Sequence, residues 1–193
     1  MISETPTIFN VKELAKYIIN RCIEVNKPIT NWELQGLLWT TQVNLTTSSI
    51  CAFNEDFVVW QYINAIPIVY YDYNIGYGLT PIDELQVTNA IIPYKEIIDY
   101  IIDVYYVSTH KFDYSDLPLW TVIRDKYKIN DRITTDIFIS EINHYLQSEI
   151  YNYFQKGREY YKWYIPSEQA KDKVKGGINN GILQSYWKSS KEW

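Results

Sequence analysis

Between Ile29 and Leu45 the chain reads ITNWELQGLLWTTQVNL, and this stretch restricts the fold more than any other. Thr30 and Glu33 stand at capping-box spacing, where the hydroxyl accepts the amide of the third helical residue and the carboxylate reaches back. Ile29 and Leu34 occupy the flanking positions of a hydrophobic staple, which sets the angle at which the chain enters a helix. Leu34, Leu37, Leu38, Thr41 and Leu45 then recur at helical spacing. The pattern predicts a helix from about Asn31 to about Thr46 with one face built for burial. Such a face needs partners, and the rest of the chain must supply them.

Most of the partners also read as helices. Asn10 and Glu13 open the first, whose stripe is Val11, Leu14, Ala15, Ile18, Cys22 and Ile23; Lys27-Pro28 ends it, since a residue before proline avoids the helical region. Phe57, Val58, Val59 and Trp60 favour a short extended segment. Asn64 is placed to cap a helix with Pro67 in its first turn and Ile68, Val69 and Tyr71 on its buried side, ended by Gly76 and Gly78. Pro81 to Leu85 reads as one helical turn. Pro93 begins a helix carrying Ile97, Ile98, Ile101, Ile102 and Tyr105. Ser115 or Asp116 opens a short helix through Trp120 and Ile123. Thr134 or Thr135 starts the longest one, striped by Phe138, Ile142, Tyr145, Leu146, Tyr153 and Phe154 to about Lys156. The expectation is a mainly α protein: a compact multi-helix bundle with one short extended insertion.

Beyond Gly157 the periodicity stops. Residues 157–193 hold a Gly-Gly, an Asn-Asn-Gly and scattered lysines, with a short helix placed at Ser167 to Val174. The expected organisation is therefore a helical domain over 1–156 and a basic, aromatic C-terminal extension over 157–193. Charge divides at nearly the same point. Residues 1–155 hold ten Lys/Arg against nineteen Asp/Glu, and residues 156–193 hold eight against four, so a net −5 combines an acidic body with a basic tail. The body repels nucleic acid, while the tail suits nucleic acid or an acidic partner.

A further family signal lies in the same stretches. ITNWELQGLLW, VWQYINAIPIVYYDY and YVSTHKFDYSDLPLW follow one another in the order and spacing of the Panacea domain, which the chain resembles over roughly residues 8 to 155. That domain is shared by SocA-like antitoxins and phage-associated GepA-type proteins, where the first motif reads ITN-x-x-LQKLLY and the second AW-x-YGPV-x-x-x-YY. Gly36 stands where the family has Lys, and Ile63 to Pro67 replaces the compact Gly-Pro-Val turn. No role of that Lys is carried over. Within this resemblance Leu34, Gln35, Leu37, Leu38, Trp39, His110 and Trp120 form a scaffold motif.

Chemistry-bearing constellations are sparse. His110, in STHKFD, has Asp113 and Asp116 nearby, yet the spacing matches no metal motif and a structural, hydrogen-bonded histidine is the plainer assignment. His144 reads as a partly exposed polar residue. No serine lies in a nucleophile elbow, and the adjacent pairs Glu55-Asp56 and Asp83-Glu84 read as solvated surface. Glu96, Asp99, Asp103, Asp113, Asp116 and Asp125 can be read as an acidic face imitating phosphate, against the simpler polar face of amphipathic helices. Cys22 and Cys51 are too few for a disulfide framework, and Cys22 falls on an apolar stripe. No apolar run approaches about eighteen residues and MISETPTIFN lacks signal-peptide character, so no membrane span is expected and the location reads as cytoplasmic. No cofactor is called for, and no enzyme is expected.

Nineteen Tyr, seven Trp and six Phe make protein contact the remaining theme. Trp60, Tyr62, Tyr70 and Tyr73, together with Tyr161, Trp163, Tyr164 and Trp187 of the extension, are the expected partner-binding rings. The extension's lysines interleaved with rings also suit single-stranded nucleic acid. The resemblance implies an antitoxin-like module that neutralises a cognate toxin by direct binding, also as a proteolytic adaptor. The alternative is a phage-encoded inhibitor of a host defence nuclease, acting by protein binding or nucleic-acid mimicry.

Overall fold

A computed structural model describes residues 9–46, 51–73, 90–107, 114, 117 and 119–156, with side chains as far as Tyr145. Among these residues the chain forms six α-helices and a three-stranded antiparallel sheet of very short strands. The mainly helical expectation holds.

Helix α1 spans Val11–Glu24, and the Asn10 side chain accepts the Lys12 amide at its start. Its end is set one residue before the expected Lys27-Pro28 stop. Asn26 takes φ 56°, its amide donates to Ile23 O, and the Lys27 amide donates to Cys22 O. This double pairing is the Schellman motif, with Asn in the left-handed position that glycine usually fills.

Helix α2, Asn31–Thr46, begins with the anticipated capping box. Glu33 accepts the Thr30 amide at 2.7 Å, and the Glu33 amide donates to the Thr30 hydroxyl at 3.3 Å. Its burial departs from the single apolar face read from the sequence. Asn31 and every residue from Leu34 to Thr46 are buried, so α2 is the central helix, enclosed on all sides. What looked like a solvent face is a row of polar side chains that serve backbone. Gln35 Nε2 donates to Asn31 Oδ1 and Gln35 Oε1 accepts the Ile66 amide at 2.8 Å. Gln42 Oε1 accepts the amides of Ala52 and Phe53, and its Nε2 donates to Phe53 O. Thr40, Thr41 and Asn44 each donate to the carbonyl four residues back. Gly36 is buried and its carbonyl receives the Thr40 hydroxyl.

Strand β1, Phe57–Val59, lies between β2, Asn64–Ala65, and β3, Arg132–Ile133. Val59 faces Asn64 and Val58 faces Ala65 on one edge; Phe57 faces Ile133 and Val58 faces Arg132 on the other. Phe57, Val59 and Ile133 are buried on the core side. Only the β1 segment was legible as extended. Asn64 is a strand residue rather than a helix cap, and Ile66 precedes α3, Pro67–Asp72, without a side-chain cap. Within α3 Val69 is fully buried, whereas Ile68 and Tyr71, expected on the buried side, are 47% and 68% exposed. Six residues make fewer than two turns, so one position alone faces inward.

A 3₁₀ turn at Ile92–Tyr94 leads into α4, Lys95–Ile102, and a π-helical turn, Asp103–Val107. Ile97, Ile98, Ile101, Ile102 and Tyr105 are buried as their spacing predicted. Helix α5, Trp120–Lys126, starts later than the Ser115 or Asp116 expected, preceded by Leu119 at φ 64°. Asn130, also left-handed, turns the chain into β3. Helix α6, Thr135–Lys156, starts and ends where its sequence signals lie. Gly76, Gly78, the Pro81 to Leu85 turn, Ser115, Asp116, the Ser167 to Val174 helix and the whole extension lie outside the described residues.

The core is aromatic at its centre. The Trp39 ring, fully buried on α2, meets Phe57 at 4.9 Å, Trp120 at 5.1 Å and Phe138 at 4.9 Å between centroids, all edge to face. One helix thus holds β1, α5 and α6 together.

Candidate functional site

From Trp39 the rings continue outward. Trp120 stacks on Tyr114 at 4.6 Å, Tyr114 meets Trp32 at 6.5 Å, and Trp32 stacks on Tyr62 at 6.4 Å with planes 21° apart. This path ends at the surface, where Trp32 is 44% and Tyr62 62% exposed. The local sequence explains both. Trp32 is the second residue of α2, before the helix enters the core, and Tyr62 lies at the tip of the β1–β2 hairpin, which the Trp60 amide closes on Ile63 O at 2.8 Å. Arg124 of α5 donates to the Gln61 carbonyl at 3.3 Å, tying the tip to the body.

Behind the tip, Trp60 meets Tyr70 edge to face at 4.8 Å and Tyr71 at 6.1 Å. The Asn31 side chain donates to Tyr70 O at 2.7 Å, which holds α3 beside the start of α2. Trp32, Trp60, Tyr62, Tyr70 and Tyr71 therefore form an aromatic ledge drawn from α2, the hairpin and α3. Of the rings named from the sequence, Tyr62 is open to solvent, while Trp60, Tyr70 and Tyr73 are partly buried and pack on the core. Burial pushes the Tyr73 hydroxyl up, assisted by Asp72. Sequence reasoning missed Trp32 and put Tyr71 inside. The available signal for Trp32 was its place off the apolar stripe of α2.

Of the residues named as a scaffold motif, Leu34, Gln35, Leu37, Leu38, Trp39 and Trp120 are buried. His110 lies outside the described residues, as do Asp113, Asp116, Tyr161, Trp163, Tyr164 and Trp187. Of the acidic residues named from the sequence, Asp99 does not stand free. Asp99 accepts from Tyr17 at 2.5 Å and pairs with Lys95 at 2.5 Å and Arg21 at 3.4 Å, so its charge is answered. Nor is Glu55-Asp56 simply solvated: both are partly buried, and Asp56 pairs with Arg132 at 2.8 Å. His144 is exposed.

Two other polar clusters are structural. Lys27 donates to the carbonyls of Tyr106 and Val107 and sits 4.5 Å over the Tyr106 ring, whose hydroxyl donates to Pro28 O at 2.9 Å. The link from α1 to α2 is thereby fastened to the π-helical turn. Glu141, almost fully buried on α6, accepts from Lys126 at 2.5 Å and from Tyr127 at 2.7 Å. Burial pushes its carboxyl up, but the hydrogen bonds from Lys126 and Tyr127 together with the nearby Lys126 charge leave the group below the ordinary carboxylate range. Burial raises the Cys22 thiol to about 12, which makes it a poor nucleophile. Among the described residues no three His, Cys, Asp or Glu gather as metal ligands, and no helix is long and apolar enough to cross a membrane. No family model, no curated protein and no solved structure matches the chain significantly.

Proposed function

We propose that the chain is a cytoplasmic protein-binding module of the antitoxin kind, which neutralises a cognate toxin by covering it. The observation that carries the reading is the aromatic ledge: Trp32 stacked on Tyr62 and, behind the hairpin tip, Tyr71 against Trp60, with Trp32, Tyr62 and Tyr71 exposed. Tyr and Trp supply large contact area with little conformational freedom to lose, which is why they dominate binding hot spots. The Panacea-like motifs support the same reading. The first falls on α2 and the second runs from β1 to α3, the elements that carry the ledge.

The test is affinity capture of the tagged full chain from its native cytosol with nuclease added. A stoichiometric protein that survives nuclease and is lost from the double variant Trp32→Ala/Tyr62→Ala is the expected result. Recovery of nucleic acid alone, or a partner indifferent to those rings, would sink the reading. If the captured protein is a defence nuclease, the same surface serves the inhibitor alternative.

A further inference from the structure

We infer that the ledge receives a cationic segment of its protein partner, with arginine or lysine side chains laid on the faces of Trp32 and Tyr62. This deepens the proposed function and rests on it.

Three lysines among the described residues already lie over rings. Lys27 lies over Tyr106 at 4.5 Å, Lys95 over Tyr17 at 5.7 Å and Lys126 over Tyr127 at 5.7 Å. Among the described residues no cation lies over Trp32, Tyr62 or Tyr71. Arg124 is directed toward the Gln61 carbonyl at the hairpin tip, and Lys12 toward Asp72, the neighbour of Tyr71, at 2.7 Å. Exposed indole and phenol faces carry negative quadrupole density that attracts a guanidinium or ammonium group.

Charge selects the same occupant. Residues 1–155 carry ten basic against nineteen acidic side chains, so the body draws in cations and repels phosphate. Glu33 follows Trp32 directly and keeps its carboxylate at the start of α2, where Thr30 and Tyr106 hold it. Asp72 and Asp125 stand next to Tyr71 and Arg124 in the chain and offset the cations there. A nucleic acid would stack on the same rings but would meet this field with the wrong sign. Electrostatic steering of this kind speeds encounter and fades with salt.

The experiment titrates the full chain against three equally labelled probes: an alternating Arg-Gly peptide, a Glu-Gly peptide of the same length and a single-stranded oligonucleotide. The Arg-Gly peptide is expected to bind, to weaken as salt rises and to quench tryptophan fluorescence. Trp32→Ala and Tyr62→Ala should each weaken it several-fold to about tenfold, with circular dichroism and melting unchanged, while Trp32→Phe restores part of the loss. Equal binding of the Glu-Gly peptide, preference for the oligonucleotide, or Arg-Gly affinity indifferent to both ring variants would overturn the inference. So would a dimer in sedimentation that dissolves in the ring variants, because a second copy would then be the occupant. A captured partner that needs the rings, alongside an Arg-Gly peptide that does not bind, overturns the cationic occupant and leaves the protein-binding reading standing.

Discussion

The Gln35 carboxamide oxygen on α2 accepts the backbone amide of Ile66 at 2.8 Å, thirty-one residues along the chain and fully buried. That one bond ends β2, orients α3 and so positions the rings of the ledge. Replacing Gln35 with Leu keeps the volume but leaves the Ile66 amide without an acceptor. A loss of about 1–3 kcal/mol in denaturant unfolding is expected. The ledge should loosen too, visible as faster hydrogen exchange at Ile66 and Tyr70.

Gln42 makes a double version of the same contact, accepting from Ala52 and Phe53 while donating to Phe53 O. Gln42→Leu orphans two amides at once and should cost more than Gln35→Leu under the same conditions. Equal effects would show that residues 51–53 find other partners.

Asn64 offers the opposite case. Its side chain is fully buried on the core side of the sheet, opposite Val59, and neither amide atom has a hydrogen-bond partner among the described residues. Valine suits a strand and carries nothing to satisfy. Asn64→Val should raise stability by about 1–2 kcal/mol, measured by urea unfolding. A decrease would mean that the amide is paired in the native protein.

Glu141 sets an acid limb. Its folded-state carboxyl lies below its unfolded value, so the unfolded chain binds more protons and stability rises with pH. The contribution is complete above the unfolded value near 4.3 and is lost as pH falls through the folded one. Tyr127→Phe removes a bond that lowers the carboxyl, and should cost about 1 kcal/mol at neutral pH. It should also flatten the decline below about pH 5. Tyr127 answers with the reverse sign, because burial and Glu141 raise its hydroxyl to about 12. Its share is present below the ordinary phenol range and is lost as pH rises through the raised value.

Exposed and buried tryptophans should separate cleanly. Trp39→Ala empties the junction of β1, α5 and α6 and should cost about 3–5 kcal/mol, enough to unfold a marginal domain. Tyr62→Ala, at the hairpin tip, should stay within about 0.5 kcal/mol of the parent protein while removing partner contact.

The sequence by itself determined where α1, α2 and α6 begin and which face of α4 is buried. Asn10, the Thr30–Glu33 box, the isoleucines of α4 and Thr134 before α6 are local signals, complete within one or two turns, and each acts in the folded chain as its chemistry demands. Tertiary structure alone decided that α2 is central. Gln35, Thr40, Gln42 and Asn44 read as a wet face until the backbone of Ala52, Phe53 and Ile66 arrives to bond two of them and the helix's own carbonyls take the others. Two-residue strands such as β2 and β3 carry no period to detect, so their pairing with β1 is visible only in the folded chain. The ledge belongs to the same class. Trp32 and Tyr62 lie thirty residues apart, and only the closure of the hairpin against the start of α2 brings their faces together and leaves them open.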